Sequence, residues 1–70
     1  MEHAKGKVKW FDPIKGWGFI TQDNGDEVFT HKRYVLDSDR ALKEGEEVEF
    51  IIEEQKDTGK LRAIDVQRIK

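Results

Sequence analysis

Asp23-Asn24-Gly25-Asp26 is the strongest turn signal in this 70-residue chain, because an Asn-Gly pair set between two alternating runs is the chemistry of a tight β-hairpin. The runs it joins read as strands over about Trp17 to Gln22 and about Glu27 to Thr30. Side chains alternate between the faces of a strand. Trp17 and Phe19 therefore project from one face, while Gly18 and Ile20 take the other. Phe29 and His31 repeat the same two-residue spacing across the turn. Pairing through the hairpin fixes the register, so four flat side chains share one face of the sheet.

The rest of the chain fits around this hairpin. From Lys5 the sequence alternates, with Val8 inward and Lys5, Lys7 and Lys9 outward. Strict alternation puts Trp10 on the side of Val8, so a twist or bulge near Phe11 is needed for Trp10 to join the aromatic face. Asp12-Pro13-Ile14-Lys15-Gly16 reads as a turn. Residues 31–45 lose the alternation. A short helical turn around Lys32 to Val35 and a polar loop closed by Gly45 are expected there.

A fourth strand, about Glu46 to Glu54, sends Val48, Phe50 and Ile52 inward and Glu47, Glu49 and Glu53 outward. After a turn at Lys56-Asp57-Thr58-Gly59, a last strand over about Lys60 to Ile69 offers Ile64 and Val66 to the core. Met1 to Ala4 read as a loose terminus. Five short strands without a long helix predict an all-β fold, a small antiparallel barrel or sandwich in one domain over residues 1–70. Closure into a barrel would remove the exposed edges of a five-stranded sheet.

Charge distribution narrows the function classes. The formal net charge of -2 and pI near 5.6 weigh against duplex DNA, whose binders neutralise many phosphates. The ends are basic and the middle acidic: residues 36–59 hold three Lys or Arg against nine Asp or Glu. Cysteine is absent, so neither disulfides nor thiolate-bound zinc support the fold. No metal-ligand spacing, P-loop or nucleophile motif is present, so no cofactor is expected. Without a signal peptide or a long apolar run, the expected location is cytoplasmic.

Rings beside Lys7, Lys9 and Lys15 are what a binder of single-stranded nucleic acid needs: bases stack on the rings and ammonium groups meet phosphates. The plain alternative makes the rings an ordinary sheet core. Catalysis has little to rest on, since His3 lies in the tail and His31 stands alone among aromatics. A third class, a barrel that docks proteins, would use the acidic stretch from Glu44 to Glu54.

The motifs Lys7-Val8-Lys9-Trp10-Phe11, Lys15-Gly16-Trp17-Gly18-Phe19-Ile20 and Val28-Phe29-Thr30-His31, in this order and spacing, resemble the opening strand and the two RNP motifs of bacterial cold-shock proteins. These are single cold-shock domains on a five-stranded OB-fold barrel. Gly45 with Val48 and Phe50, then Ala63 to Val66, are similar to the family's fourth and fifth strands. The resemblance implies binding of single-stranded RNA or DNA, often with RNA-chaperone activity, by a protein expected to be monomeric. It implies stacking by Trp10, Trp17, Phe19, Phe29 and His31, phosphate or base-edge contacts from Lys7, Lys9 and Lys15, and a hydrogen bond from a base to Asp23.

The chain departs from that pattern after His31. There the family usually has an aromatic and Ser-Ala-Ile, whereas this chain has Lys32-Arg33-Tyr34. Residues 37–44 also lack the aromatic common in the family's loop. Lys32 and Arg33 would supply charge where stacking is lost, and Tyr34 either replaces a stacking ring or packs under the short turn.

Overall fold

The computed structural model describes residues 2–38 and 40–69. Strands β1 (Glu2–Asp12), β2 (Trp17–Gln22), β3 (Glu27–His31), β4 (Glu47–Glu54) and β5 (Leu61–Arg68) close into a barrel in the order β1-β2-β3-β5-β4, with β4 returning to β1. The pairings are antiparallel except for β3 with β5, which run parallel at Phe29 and Arg62. Closure leaves the longest edges paired. Among the described residues the helical content is a single 3₁₀ turn, Lys32–Tyr34, where a short helical turn was expected.

The expected hairpin forms as read. Asn24 Oδ1 accepts from the Asp26 N–H at 2.9 Å, Gly25 N–H donates to the Gln22 carbonyl at 2.8 Å, and Gln22 N–H donates to the Asp26 carbonyl at 2.7 Å. An Asn that hydrogen-bonds its own backbone two residues on holds a turn without outside help.

The barrel interior is apolar. Val8, Ile20, Val28, Val48, Phe50, Ala63 and Val66 come from the strands, while Val35 and Leu42 cover the barrel from the long connection between β3 and β4. Thr30 is buried with them, and its hydroxyl donates to the Ala63 carbonyl at 3.1 Å, which ties β3 to β5 where their ladder is short.

Four sequence expectations are corrected. Residues 2–4 belong to β1 and face Ile52, Ile51 and Phe50 of β4, so they are not a loose end; Met1 lies outside the described residues. Their pairing follows from the length of β4, which offers partners beyond Gly6.

The bulge that reorients Trp10 sits at Lys9, not near Phe11: Val8 faces Ile20 and Trp10 faces Phe19, so two steps on β1 match one on β2. In β5, Ala63 and Val66 are the buried residues, and Ile64 is only half-buried. Three steps from Ile64 to Gln67 oppose two from Ile51 to Glu49, with the extra residue accommodated where Asp65 takes a left-handed φ of 51°. That bulge switches the alternation between the two ends of the strand. Ile52, expected inside, is likewise half-buried against the core.

Arg68 holds the long connection against the barrel. Its backbone N–H donates to Asp37 Oδ2 at 3.0 Å, its Nε to Glu46 Oε2 at 2.7 Å and its Nη2 to the Ala41 carbonyl at 3.0 Å. Burial pushes the Glu46 carboxyl up, but the Arg68 hydrogen bond, the Lys43 N–H at 2.6 Å and the positive charges of Arg68 and Lys43 outweigh it, so the group sits below its ordinary 4.5.

A carboxyl lowered by folding contributes stability that is complete above the unfolded value and is lost as pH falls through the folded one. Thermal midpoints of wild type and Glu46→Gln, measured from pH 7 to pH 3, should therefore differ at neutral pH and converge below pH 4.5.

Candidate nucleic-acid interface

The outer face of β1, β2 and β3 carries the rings. Trp10 is opposite Phe19, Phe19 is opposite Phe29, and Trp17 is opposite His31. The bulge at Lys9 brings Trp10 to within 5.1 Å of Trp17 and 5.6 Å of Phe19, centroid to centroid. Trp17 lies 6.0 Å from Phe29 with an interplanar angle of 15°, and Phe19 meets Phe29 edge-on at 6.0 Å. The rings thus brace one another in the offset and edge-to-face geometries that aromatic quadrupoles favour.

The separate apolar core on the opposite face, Phe50 included, excludes the reading in which these rings are the core. Trp10 remains 36% exposed despite its size, and Trp17, Phe19, Phe29 and His31 are each half-buried. Phe11, one residue after Trp10, packs against the core. Gly18 allows this double-sided strand pair: a Cβ there would lie 2.3 Å from the Trp10 carbonyl oxygen, so a side chain would force β1 and β2 apart beneath the platform.

His31 is fixed by the turn that follows it. Its Nδ1 accepts from the Arg33 N–H at 3.1 Å and so caps the 3₁₀ segment. Burial, then the charges of Arg33 and Lys32, lower its pKa from 6.5. The ring is neutral at pH 7, as an accepting Nδ1 requires.

The basic residues divide. Lys15 is exposed in the β1–β2 turn, where its N–H and that of Ile14 bind Asp12 Oδ1 at 3.0 and 2.9 Å. The Lys32 stem lies against Gly16, whose φ is 81° and where a Cβ would stand 2.8 Å from Lys32 Cδ, so the Lys32 stem and the turn holding Lys15 are neighbours beside Trp17. Lys7 is exposed between Thr21 and Glu47 on the flanking strands. Lys9 is engaged by Glu27, with Nζ 2.9 and 3.0 Å from its two carboxylate oxygens. Arg33 lies over the Tyr34 ring at 5.6 Å.

Asp23 is not brought to the rings. It follows the end of β2 opposite to Trp17, donates its backbone N–H to the Lys5 carbonyl, and borders an opening with His3, Lys5 and Asn24. The carboxylate beside Phe19 and Phe29 is Glu27. These three line a groove of about 540 Å³ with Gln55, Lys60, Leu61 and Arg62. The β5 side of this groove has no signature in the sequence, because the parallel contact between β3 and β5 exists only once the barrel closes.

Comparison with known proteins decides the family. The family model of the "Cold-shock" DNA-binding domain matches residues 4–69.

The chain belongs to the cold-shock domain family.

It is 53% identical over 53 residues to a cold shock-like protein of Thermotoga maritima, covering 74% of this chain and 80% of that one. The cold shock-like protein CspA of Stigmatella aurantiaca is 55% identical over 49 residues, 67% of this chain and 72% of its own length. Glycine-rich protein 2 of Nicotiana sylvestris matches at 48% over 93% of this chain, which spans only 31% of that protein.

Among solved structures, Drosophila Unr CSD456 superposes with a TM-score of 0.79 at 26% identity, covering 99% of this chain and 27% of the other. Cold-shock domains are nucleic-acid-binding modules and not enzymes, and the OB-fold barrel expected from the sequence is the fold observed. Among the described residues no helix is long and apolar enough to cross a membrane.

Proposed function

We propose that this cold-shock domain acts as a monomeric cytoplasmic binder of single-stranded RNA or DNA, and that it works as an RNA chaperone. The observation that carries this reading is the division of the sheet into two faces: a complete apolar core inside, and five half-exposed planar side chains, Trp10, Trp17, Phe19, Phe29 and His31, outside. Rings arranged in this way have surface left to cover, and the flat face of any unpaired base covers it.

One OB fold spans roughly half a dozen nucleotides, and stacking contributes about 1–3 kcal/mol per base. With a net charge of -2, stacking outweighs phosphate contact, and Lys7, Lys15, Lys32 and Arg33 orient the strand. Base selectivity is modest, since every base has a π-face. Binding only the unpaired strand shifts RNA hairpins towards open forms by mass action, without ATP. The protein-docking alternative is weakened by the acidic stretch itself, in which Glu46 and Glu53 are already paired with Arg68 and Arg62.

Trp10 and Trp17 make the proposal directly measurable. Titration with a short pyrimidine-rich DNA strand, its RNA equivalent and the matching duplex should quench tryptophan fluorescence with the single strands alone, and with a shallow dependence on salt. Absence of quenching by both single strands would overturn the reading.

A further inference from the structure

The cross-strand partners trace one row around the barrel. Trp10 faces Phe19, Phe19 faces Phe29, Phe29 stands beside Arg62, and Arg62 faces Glu53. The first three are rings and the fourth is a planar guanidinium. Arg62 is also a wall of the groove that contains Phe19 and Phe29.

The guanidinium is held in place from two directions. Its Nε donates to Glu53 Oε1 at 2.8 Å, and its Nη2 binds the same oxygen. Its Cζ lies 5.1 Å from the centroid of Tyr34, which places the cation over the ring. The side chain is still 30% exposed. An arginine free in solution must give up rotamer freedom to present its plane, whereas this one is already fixed at an edge and over Tyr34.

We infer that Arg62, backed by Tyr34 and oriented by Glu53, is a further base-stacking subsite that carries the platform from β3 onto β5 and receives the unpaired base next to the one on Phe29. The inference rests on the single-strand reading above. Guanidinium planes stack on bases as aromatic rings do. Two of the five N–H donors of Arg62 are committed to Glu53, so its contribution comes from the plane more than from phosphate contact. Tyr34 acts beneath Arg62 as a positioning residue.

The test compares oligothymidylates of three and of seven nucleotides, binding to wild type, Arg62→Gln, Arg62→Lys, Tyr34→Leu and Phe19→Ala, with a thermal midpoint for each protein. The short strand fills the strongest ring positions, so both Arg62 variants should leave its affinity within about twofold. The long strand reaches β5, and both should weaken it about fivefold or more, the lower end of one stacking contact. Tyr34→Leu should give the same length dependence with a smaller loss, while Phe19→Ala weakens both strands.

Full binding of the long strand by Arg62→Lys, equal losses on both lengths, or no loss in the Arg62 variants would overturn the inference. In each of those outcomes wild type still binds and Phe19→Ala still binds more weakly on both lengths, so the single-strand reading stands. Failure of wild type to bind either strand overturns both.

Discussion

Phe19→Ala should weaken single-strand binding by about 1–3 kcal/mol, roughly five- to 150-fold, while shifting the thermal midpoint by only a few degrees. Phe19 is the central ring, with centroids of Trp10, Trp17 and Phe29 at 5.6, 6.2 and 6.0 Å. Its removal takes away one stacking surface and the edges that brace three others. Stability suffers less because the ring is half-buried on the outer face and contributes nothing to the barrel interior. Fluorescence titration and thermal denaturation of the same sample would check both halves. Severe unfolding with unchanged affinity in the folded fraction would refute the division between platform and core.

Phe50→Ala should do the reverse. Phe50 is 2% exposed and is among the largest fully enclosed side chains, with Ala4 of β1 opposite it. Truncation of such a ring costs about 3–5 kcal/mol through lost burial and the cavity left behind. A domain of 70 residues has a total stability on the order of 4–10 kcal/mol, so a loss of this size removes much of it. Urea denaturation followed by circular dichroism should show a much lower midpoint. At low temperature, where folded molecules remain, their affinity for single strands should match that of wild type. Val48→Ala at a fully buried position should act in the same direction with a smaller effect.

Local chemistry explains how much of this was legible in the sequence. Asn24-Gly25 fixes a turn and alternation fixes faces, so the β2–β3 hairpin and four of the five planar side chains follow from the sequence alone. The family motifs are local too, and they lead to the same barrel that the strand count permits. Trp10 was harder, because a bulge inserts one residue into a pattern of period two and its position depends on the partner strand. The same cause displaced Ile64, where the left-handed Asp65 switches β5 between faces.

Leu42 carried no signal either. It has only Ala41 beside it in an otherwise polar stretch, and its burial comes with Arg68 holding the connection onto the barrel. Glu27 and Arg62 were missed for a different reason. Both act through residues distant in sequence, Lys9 for one and Glu53, Tyr34 and Phe29 for the other. Asp23, by contrast, rests on the family resemblance, and it lies past the end of β2 opposite to Trp17, at an opening with His3, Lys5 and Asn24.

The bulge at Lys9 separates two sets of positions that a regular strand would have kept on one side. Val8 answers to the interior and Trp10 to the outside, although one residue lies between them. On β2 and β3 neighbouring residues divide the same way: Ile20 and Val28 hold the barrel, while Phe19 and Phe29 meet whatever lies outside it. Substitutions can accumulate in one set without being answered in the other. A lineage carrying this barrel is therefore free to retune the width, charge and reach of its outer row, as at Lys32 and Arg33, while the folding problem stays solved.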